Sequence, residues 1–212
     1  MRLFSYKMTN DSGFAPNPFG HTLTLATCKP RIRRYKLEGD WIAGFTSRKL
    51  AGHEVGSERL IYLMRVAEKV PIRTYFPDPR FQDKIPDLSS SCPMARAGDN
   101  IYRPKHPDAV DYTDFERLPN PNHCAVEDPR RDIAGRYVLI ADEYYYFGDS
   151  ALNLPPKCRP VVPHGQSGHG QSTPPEQARR LIEYIRREFR PGRHGDPHRW
   201  PNEHGDKGGG CG

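Results

Sequence analysis

The chain has 212 residues, of which 35% are hydrophobic, and it carries 22 prolines, 19 glycines and a formal net charge of +6. This length suits one good-sized core and is too short for two full domains. No apolar run approaches the roughly 20 residues that span a bilayer, and no charged leader precedes an apolar stretch at the N-terminus. We therefore expect a cytoplasmic protein without a membrane partner.

The cysteine pattern indicates the redox state of the compartment, and the positive charge indicates the kind of partner. Five cysteines, an odd number at irregular spacings, do not form the pattern of a disulfide framework, which favours reduced thiols. A basic chain favours an anionic partner, and nucleic acid is the commonest one. DNA or nucleotides are the expected ligands, and RNA is an alternative.

Short strands around one short helix are predicted for most of the chain. Pro30 suits the first position of a helix that runs to about Tyr35, because its fixed φ matches and its missing donor costs nothing there. The predicted strands cover Leu3 to Met8, Thr22 to Thr27, Trp41 to Phe45, Arg59 to Glu68 and Tyr137 to Ala141. The third of these follows a Gly39-Asp40 turn. The fourth is apolar enough to be a strand buried on both faces, with a helix as the alternative.

The middle of the chain is rich in proline. Nine prolines lie between Pro77 and Pro129, and proline neither donates to a sheet ladder nor sits easily inside a helix. We expect an irregular segment at about residues 77–135, either a lid or binding loop or a disordered insertion.

The C-terminal part combines a helix and a tail. Thr173 to Glu176 has the pattern of a capping box, and apolar residues at helical spacing follow it up to Phe189. After Pro191 almost no apolar residue remains, so residues 191–212 are predicted to be a flexible tail. Residues 1–190 then form a single domain.

Two blocks of sequence carry a resemblance to a known family. The first contains Gly13 to Phe19, Thr24 to Pro30, Ile32 to Arg34 and Gly39 to Trp41, and the second is Tyr137 to Pro155, with the run Tyr144 to Gly148. They resemble the second of the nucleotide-modification-associated domains, which occur in phage and bacterial DNA-modification gene neighbourhoods. The resemblance implies a cytoplasmic protein that takes part in DNA base hypermodification, with other modification enzymes as possible partners and no cofactor that can be named.

The order of elements also resembles the small β-barrels of the PUA and EVE group. In that group a helix ends in a Gly-Asp turn before the second strand, as Gly39-Asp40 does here. By this analogy we expect an α+β fold, a small PUA/EVE-like mixed β-barrel with flanking helices and a long proline-rich loop. Such barrels bind nucleic acid and hold a modified or flipped base.

Basic residues are the first candidates for nucleic-acid contacts. Lys29, Arg31, Arg33 and Arg34 crowd one short turn and form a candidate phosphate site, with a solvated face as the alternative. The late helix carries five more arginines, for which a solvated face is the more typical interpretation: Arg179, Arg180, Arg186, Arg187 and Arg190.

Aromatic residues are the candidates for stacking on a base. Phe14 belongs to the Gly/Pro loop, where Asn17 is a further candidate for a nucleic-acid contact. Trp41 begins a strand beside a turn, where a core position is the alternative. In the run from Tyr144 to Phe147, alternation would point two rings outward, so Tyr144 and Tyr146 are candidates for a stacking platform or ordinary strand residues.

Two residues are candidates for chemistry. Asp142 follows a buried strand, where a carboxylate can act as a general base, although a turn role is the alternative. Cys28 lies beside Lys29 and a helix start, both of which lower the pKa of a thiol, so it is a candidate nucleophile or else a small buried hydrophobe.

The histidines favour an anion site over a metal site. His164 and His169 lie in a glycine-rich loop before the last helix, where backbone N–H groups can converge on phosphate. No histidine or cysteine shows a zinc spacing, so no metal is predicted, and no dinucleotide, P-loop or serine-hydrolase motif is present. Two functions remain open: an enzyme or accessory factor that alters a nucleobase, and a non-catalytic reader of a modified base in DNA or RNA.

Overall fold

The computed structural model of the protein describes residues 1–165 and 167–201. The helices are α1 Pro30–Tyr35, α2 Arg48–Ala51, α3 Ile72–Tyr75, α4 Pro93–Arg96, α5 Asp128–Ile133 and α6 Pro175–Glu188. The strands are β1 Leu3–Met8, β2 Leu23–Leu25, β3 Trp41–Thr46, β4 Leu60–Arg65, β5 Glu68–Pro71, β6 Tyr102–Pro104, β7 Phe115–Arg117, β8 Tyr137–Ala141, β9 Tyr144–Tyr146, β10 Gln171–Thr173 and β11 Gly192–Arg193. Short 3₁₀ turns cover Pro79–Lys84, Tyr112–Asp114, Gly148–Ser150 and Pro156–Cys158.

The strands form two main sheets and one small ribbon. The larger sheet has the order β10-β1-β3-β4-β9-β11, with β1 parallel to β3 and β9 parallel to β11. The smaller sheet has the order β2-β8-β5, and β6 pairs with β7 alone. The α+β class is thus confirmed, but the described strands form no closed barrel, because β2, β8 and β5 pair with one another instead of joining the edges of the larger sheet. The PUA/EVE-like barrel is therefore not confirmed.

The core lies in three layers between these elements. α6 packs its apolar stripe on one face of the larger sheet, where Leu181 and Ile185 meet Trp41 and Phe45 in one cluster. The other face packs against the smaller sheet. This arrangement needs a central strand buried on both faces, and β4 is that strand, as its continuous apolar run predicts.

The proline-rich segment is an ordered part of the core. Phe81, Ile101 and Phe115 pack on the outer face of the smaller sheet, against Val138 and Ile140 of β8. Short elements rather than one long helix or strand deliver these side chains, because prolines interrupt the backbone every few residues. The segment therefore forms a covering layer on the smaller sheet.

The predicted tail also differs from the expectation over residues 192–201. Trp200 stacks on Phe19 with ring centroids 5.6 Å apart, and His198 Nδ1 lies 2.8 Å from the Asp11 carboxylate. β11 pairs with β9 as well. Aromatic and carboxylate partners elsewhere in the chain hold this polar stretch in place, which its own low apolar content does not reveal. The rest of the predicted tail lies outside the described residues.

The start of α6 corrects a further expectation. The N-cap is Pro174, without a side-chain hydrogen bond, so the predicted capping box is wrong. β10 pairs Thr173 with Leu3, and the buried Thr173 hydroxyl has no hydrogen-bond partner in the described part of the chain. Strand pairing, rather than capping, fixes where α6 begins.

No helix among the described residues is both long enough and apolar enough to cross a bilayer.

Candidate functional site: a basic groove beside α1

Helix α1 turns three side chains towards solvent. Its Ile32 and Arg33 are fully buried, whereas Arg31, Arg34 and Tyr35 are exposed. Residues three and four apart lie on one helical face, so Arg31, Arg34 and Tyr35 form a continuous surface. The helix begins sharply, because Lys29 at its N-cap has a left-handed φ of 38°.

The glycine-rich loop forms the opposite wall of a cleft. The His169 ring lies 5.5 Å from the Tyr35 ring, and a Cβ on Gly168 would lie 3.4 Å from Arg31 Cδ. The resulting cavity of about 400 Å³, named here the α1 groove, is lined by Pro30, Arg31, Arg34, Tyr35, Ala134 and His169.

Both ends of this loop are anchored to β1. The Lys7 ammonium donates to the His164 carbonyl over 3.1 Å and forms an ion pair with the buried Glu58 at 2.7 Å. Beyond the loop, β10 pairs with β1. The loop therefore has a fixed entry and exit, which set the distance between His169 and α1.

The arginines of the groove differ in pairing from those of α6. Arg31 and Arg34 form no ion pair within the described residues, whereas the exposed arginines of α6 do. Those of α6 pair with nearby glutamates: Arg179 and Arg180 with Glu176, Arg186 with Glu143, and Arg187 with Glu188. Since a paired arginine attracts a phosphate less, α6 has the properties of a solvated face, and α1 offers the cations that are open to an anion.

Lys29 lies at the entrance to α1 in a less polar setting. Its ammonium is 5.0 Å from the centre of the Tyr6 ring. Burial, followed by the nearby charge of Arg131, lowers the pKa of Lys29 to about 8. A smaller fraction of Lys29 than of the neighbouring arginines is therefore protonated near neutral pH.

Arg33 is a tether rather than a ligand contact. Its side chain is fully buried and donates to the carbonyls of Cys28 at 2.8 Å, Tyr137 at 2.9 Å and Asp132 at 2.5 Å. The predicted phosphate contact from Arg33 is therefore corrected: its guanidinium joins α1 to α5 and β8, and it faces away from the groove.

Asp132 gathers the polar groups around this tether. One carboxylate oxygen accepts from the Cys28 backbone N–H at 2.8 Å, and the other accepts from the Tyr102 hydroxyl at 3.0 Å. His123 Nε2 lies 2.6 Å from the second oxygen. Burial alone would raise the pKa of Asp132, but the hydrogen bond and charge of His123, together with Arg33, lower it below its ordinary value.

This lowered pKa predicts a loss of stability in acid. The contribution of Asp132 is fully present above its ordinary pKa of 3.8 and is lost as the pH falls through the lower value of the folded state. We expect Asp132→Asn to cost about 2 kcal/mol of unfolding free energy at pH 7 and clearly less at pH 3. Urea unfolding of both proteins at pH 7, 5 and 3 measures this, and a constant difference at all three values would contradict it.

The loop residues predicted as contacts are buried. Phe14 packs 5.2 Å from the His123 ring, and Asn17 donates to the carbonyls of Gly13 at 2.9 Å and Ala97 at 3.0 Å. The amide oxygen of Asn17 accepts from the buried Lys84 ammonium at 2.8 Å. With these hydrogen bonds made inside the protein, Asn17 shapes the loop and does not face a ligand.

The predicted aromatic platform is also internal. Trp41 is in the core under α6, and all four rings from Tyr144 to Phe147 are buried. The Tyr144 hydroxyl donates to the Pro18 carbonyl at 3.3 Å, and the Tyr146 hydroxyl donates to Asp11 at 2.6 Å. The side chains alternate along β9 as predicted. Both faces of the strand are covered, however, so no ring points outward, contrary to the prediction.

The two residues predicted for chemistry lie apart from the groove lining. Asp142 is exposed in the β8–β9 turn, and its carboxylate accepts from the Glu143 backbone N–H at 2.7 Å. Cys28 is buried and disulfide-bonded, which departs from the expectation of reduced cysteines, so no thiolate is present in this structure. Their predicted roles in catalysis stay predictions.

One cluster has the residue types of a metal site. Potential ligand atoms of Cys28, His123 and Asp132 all lie within 4.8 Å of one another. The disulfide occupies the Cys28 sulfur, and Asp132 is already bonded to His123 and Tyr102. These contacts account for the cluster as a hydrogen-bonded anchor of α1.

Sequence reasoning found Arg31, Arg34 and His169 for this groove but missed Tyr35. The signal was present, since Tyr35 is four residues after Arg31 and so shares its helical face. His164, the other predicted histidine, is exposed at the start of the loop, and it is not among the residues that line the groove.

Comparison with known families gives a match over most of the chain. The family model of nucleotide modification associated domain 2 matches residues 1–204, almost the whole chain. The chain belongs to this family. The nucleotide modification associated domain 2 thus includes the groove, its buried anchor and both sheets. No curated protein and no solved structure matches the chain.

Proposed function

We propose that this nucleotide modification associated domain binds a nucleotide unit of DNA in the α1 groove, in the cytoplasm of bacterial or phage-infected cells. The observation that carries the proposal is the pairing of two open arginines, Arg31 and Arg34, with an exposed tyrosine ring in one cleft. Cationic grooves with aromatic side chains are how proteins bind nucleic acid without reading its sequence. The family supports the nucleotide as ligand.

Each side chain of the groove has a role in this proposal. Arg31 and Arg34 bind phosphate oxygens, and Tyr35 stacks on the base. His169 lies against Tyr35 and forms the opposite wall of the cleft. Lys29 adds charge at the entrance.

The first prediction concerns the two arginines. We expect the double variant Arg31→Ala/Arg34→Ala to weaken binding to labelled DNA on the order of ten- to a hundredfold at low salt, with a shallower salt dependence. The measurement is a fluorescence anisotropy titration at several salt concentrations. Arg179→Ala/Arg180→Ala removes the same charge from α6 and serves as the matched control. Equal losses in both double variants would show that net charge alone is responsible.

A second candidate function is a non-catalytic reader of a modified base in DNA or RNA, of the PUA/EVE-like kind. It is favoured by the groove lining, which contains no carboxylate and no thiol among the residues that the structure describes. The alternative to a reader is an enzyme, or an accessory factor that works with other modification enzymes. In that case Asp142 or Cys28 would have to act on the nucleotide from outside the residues that line the groove.

Nucleoside mass spectrometry separates these two functions. DNA is compared from cells with and without the protein, with its neighbouring genes present in both. A nucleoside mass that appears or disappears places the protein in a modification pathway, and Asp142→Ala and Cys28→Ala then test the chemistry. Identical profiles favour the reader, which should distinguish modified from plain oligonucleotides in the anisotropy assay.

A further inference from the structure

We infer that the α1 groove accepts a base only when that base is unpaired, so that single-stranded DNA is the preferred form of its ligand. This inference rests on the proposed function, because it specifies the ligand of the same groove. Two properties of the groove support it: the exposed ring of Tyr35 and the size of the cavity.

Tyr35 is suited to stacking on a base rather than to hydrogen bonding with base edges. Its side chain is 55% exposed, and the Arg34 guanidinium lies 5.8 Å from its ring centre. In a duplex, neighbouring bases cover both faces of each base, and only the edges are accessible in the grooves. A ring such as that of Tyr35 can stack only on a base that has left the helical stack.

The cavity has the size of a site for one unpaired nucleotide. Its volume of about 400 Å³ lies in the lower part of the range for small-ligand sites. The ring centres of Tyr35 and His169 are 5.5 Å apart, whereas a base inserted between two rings needs two stacking steps of about 3.4 Å each. A base that stacks on Tyr35 therefore does not enter the gap between Tyr35 and His169. Arg31 and Arg34 share the helical face of Tyr35 and are available for the adjoining phosphates.

The test compares three ligands on the intact protein: a labelled single-stranded oligonucleotide, the same strand in a duplex, and unlabelled deoxynucleoside monophosphates as competitors. We expect the single strand to bind at least about tenfold more tightly than the duplex. Tyr35→Leu should weaken single-strand binding by about 5- to 150-fold, the range for loss of one base–aromatic stack, and Tyr35→Phe should restore it. Tyr112→Leu, at another exposed tyrosine, is the control and should leave affinity unchanged.

The outcomes distinguish this inference from the proposed function. Equal affinity for duplex and single strand, with Arg31→Ala/Arg34→Ala impaired and Tyr35→Leu unimpaired, would overturn the unpaired base and leave the groove as a phosphate site. No effect of either variant on any ligand would overturn the proposed function itself. Competition by monophosphates at the same concentration as the strand would overturn single-stranded DNA as the preferred ligand and identify the free nucleotide as the source of the base.

Discussion

Arg33→Ala is expected to lower the free energy of unfolding by about 3–5 kcal/mol, the cost of breaking a buried ion pair by removing one partner. The guanidinium supplies three hydrogen bonds, to the carbonyls of Cys28, Tyr137 and Asp132, and it lies 3.8 Å from the Asp132 carboxylate. Without it, three buried carbonyls lose a donor and Asp132 loses a cation. A domain of ordinary stability has about 5–15 kcal/mol in total, so much of the protein would be close to unfolding.

The adjacent residue provides the control. Arg34→Ala removes an equal charge from an exposed position on the same helix and should change stability by at most about 0.5 kcal/mol. Urea unfolding of both variants measures the difference. Arg33→Lys should recover part of the loss, because lysine keeps the charge but lacks the planar fork that reaches three carbonyls. Similar stability of the Arg33→Ala and Arg34→Ala variants would contradict the tether.

The tether also explains why neighbouring arginines have different roles. Arg33 faces inward, and a Cβ at Gly135 would approach its guanidinium carbon to 2.6 Å, so the backbone of residue 135 closes tightly around it. With Arg33 fixed, the helical repeat directs Arg31 and Arg34 outward. A milder variant, such as Arg33→Lys, should therefore disturb binding in the groove as well as stability.

Local patterns predicted the bounds of several elements closely. Apolar runs and the proline at the start of α1 fixed the bounds of β1, α1 and β8, and the amphipathic repeat identified α6. These features depend on neighbours in the chain, so one sequence contains them.

The errors concern contacts between distant residues. Four basic residues in one turn look alike in sequence, and only Asp132, about a hundred residues away, shows that Arg33 is internal. The burial of Tyr144 to Phe147 likewise depends on α6 and the smaller sheet covering opposite faces of β9. Tyr35 was missed for a different reason: its position shares the face of Arg31, but the opposing wall is His169, which no local pattern connects to α1.

A row of side chains across the larger sheet leads to the second large effect. Tyr6, Gly44, Tyr62 and Tyr146 are paired in register on β1, β3, β4 and β9, so they point to the same face. Because Gly44 has no side chain, the hydroxyls of Tyr6 and Tyr62 meet across it at 2.8 Å, and burial raises the pKa of both phenols. The glycine thus makes room for a buried hydroxyl pair.

Gly44→Val is expected to destabilise the protein by about 3 kcal/mol, at the upper end of ordinary overpacking. A Cβ at residue 44 would lie 2.6 Å from Tyr62 Cδ1 and 2.7 Å from Met8 Sδ, and neither neighbour can retreat inside a packed core. Gly165→Val inserts the same side chain where a Cβ would meet nothing within 4 Å, so it should be nearly neutral. Thermal and urea unfolding compare the two. The double variant Gly44→Val/Tyr62→Ala should lose less stability than the sum of the two single losses, because the ring that occupies the space is then removed. A double loss equal to that sum would show that the valine does not act through its contact with Tyr62.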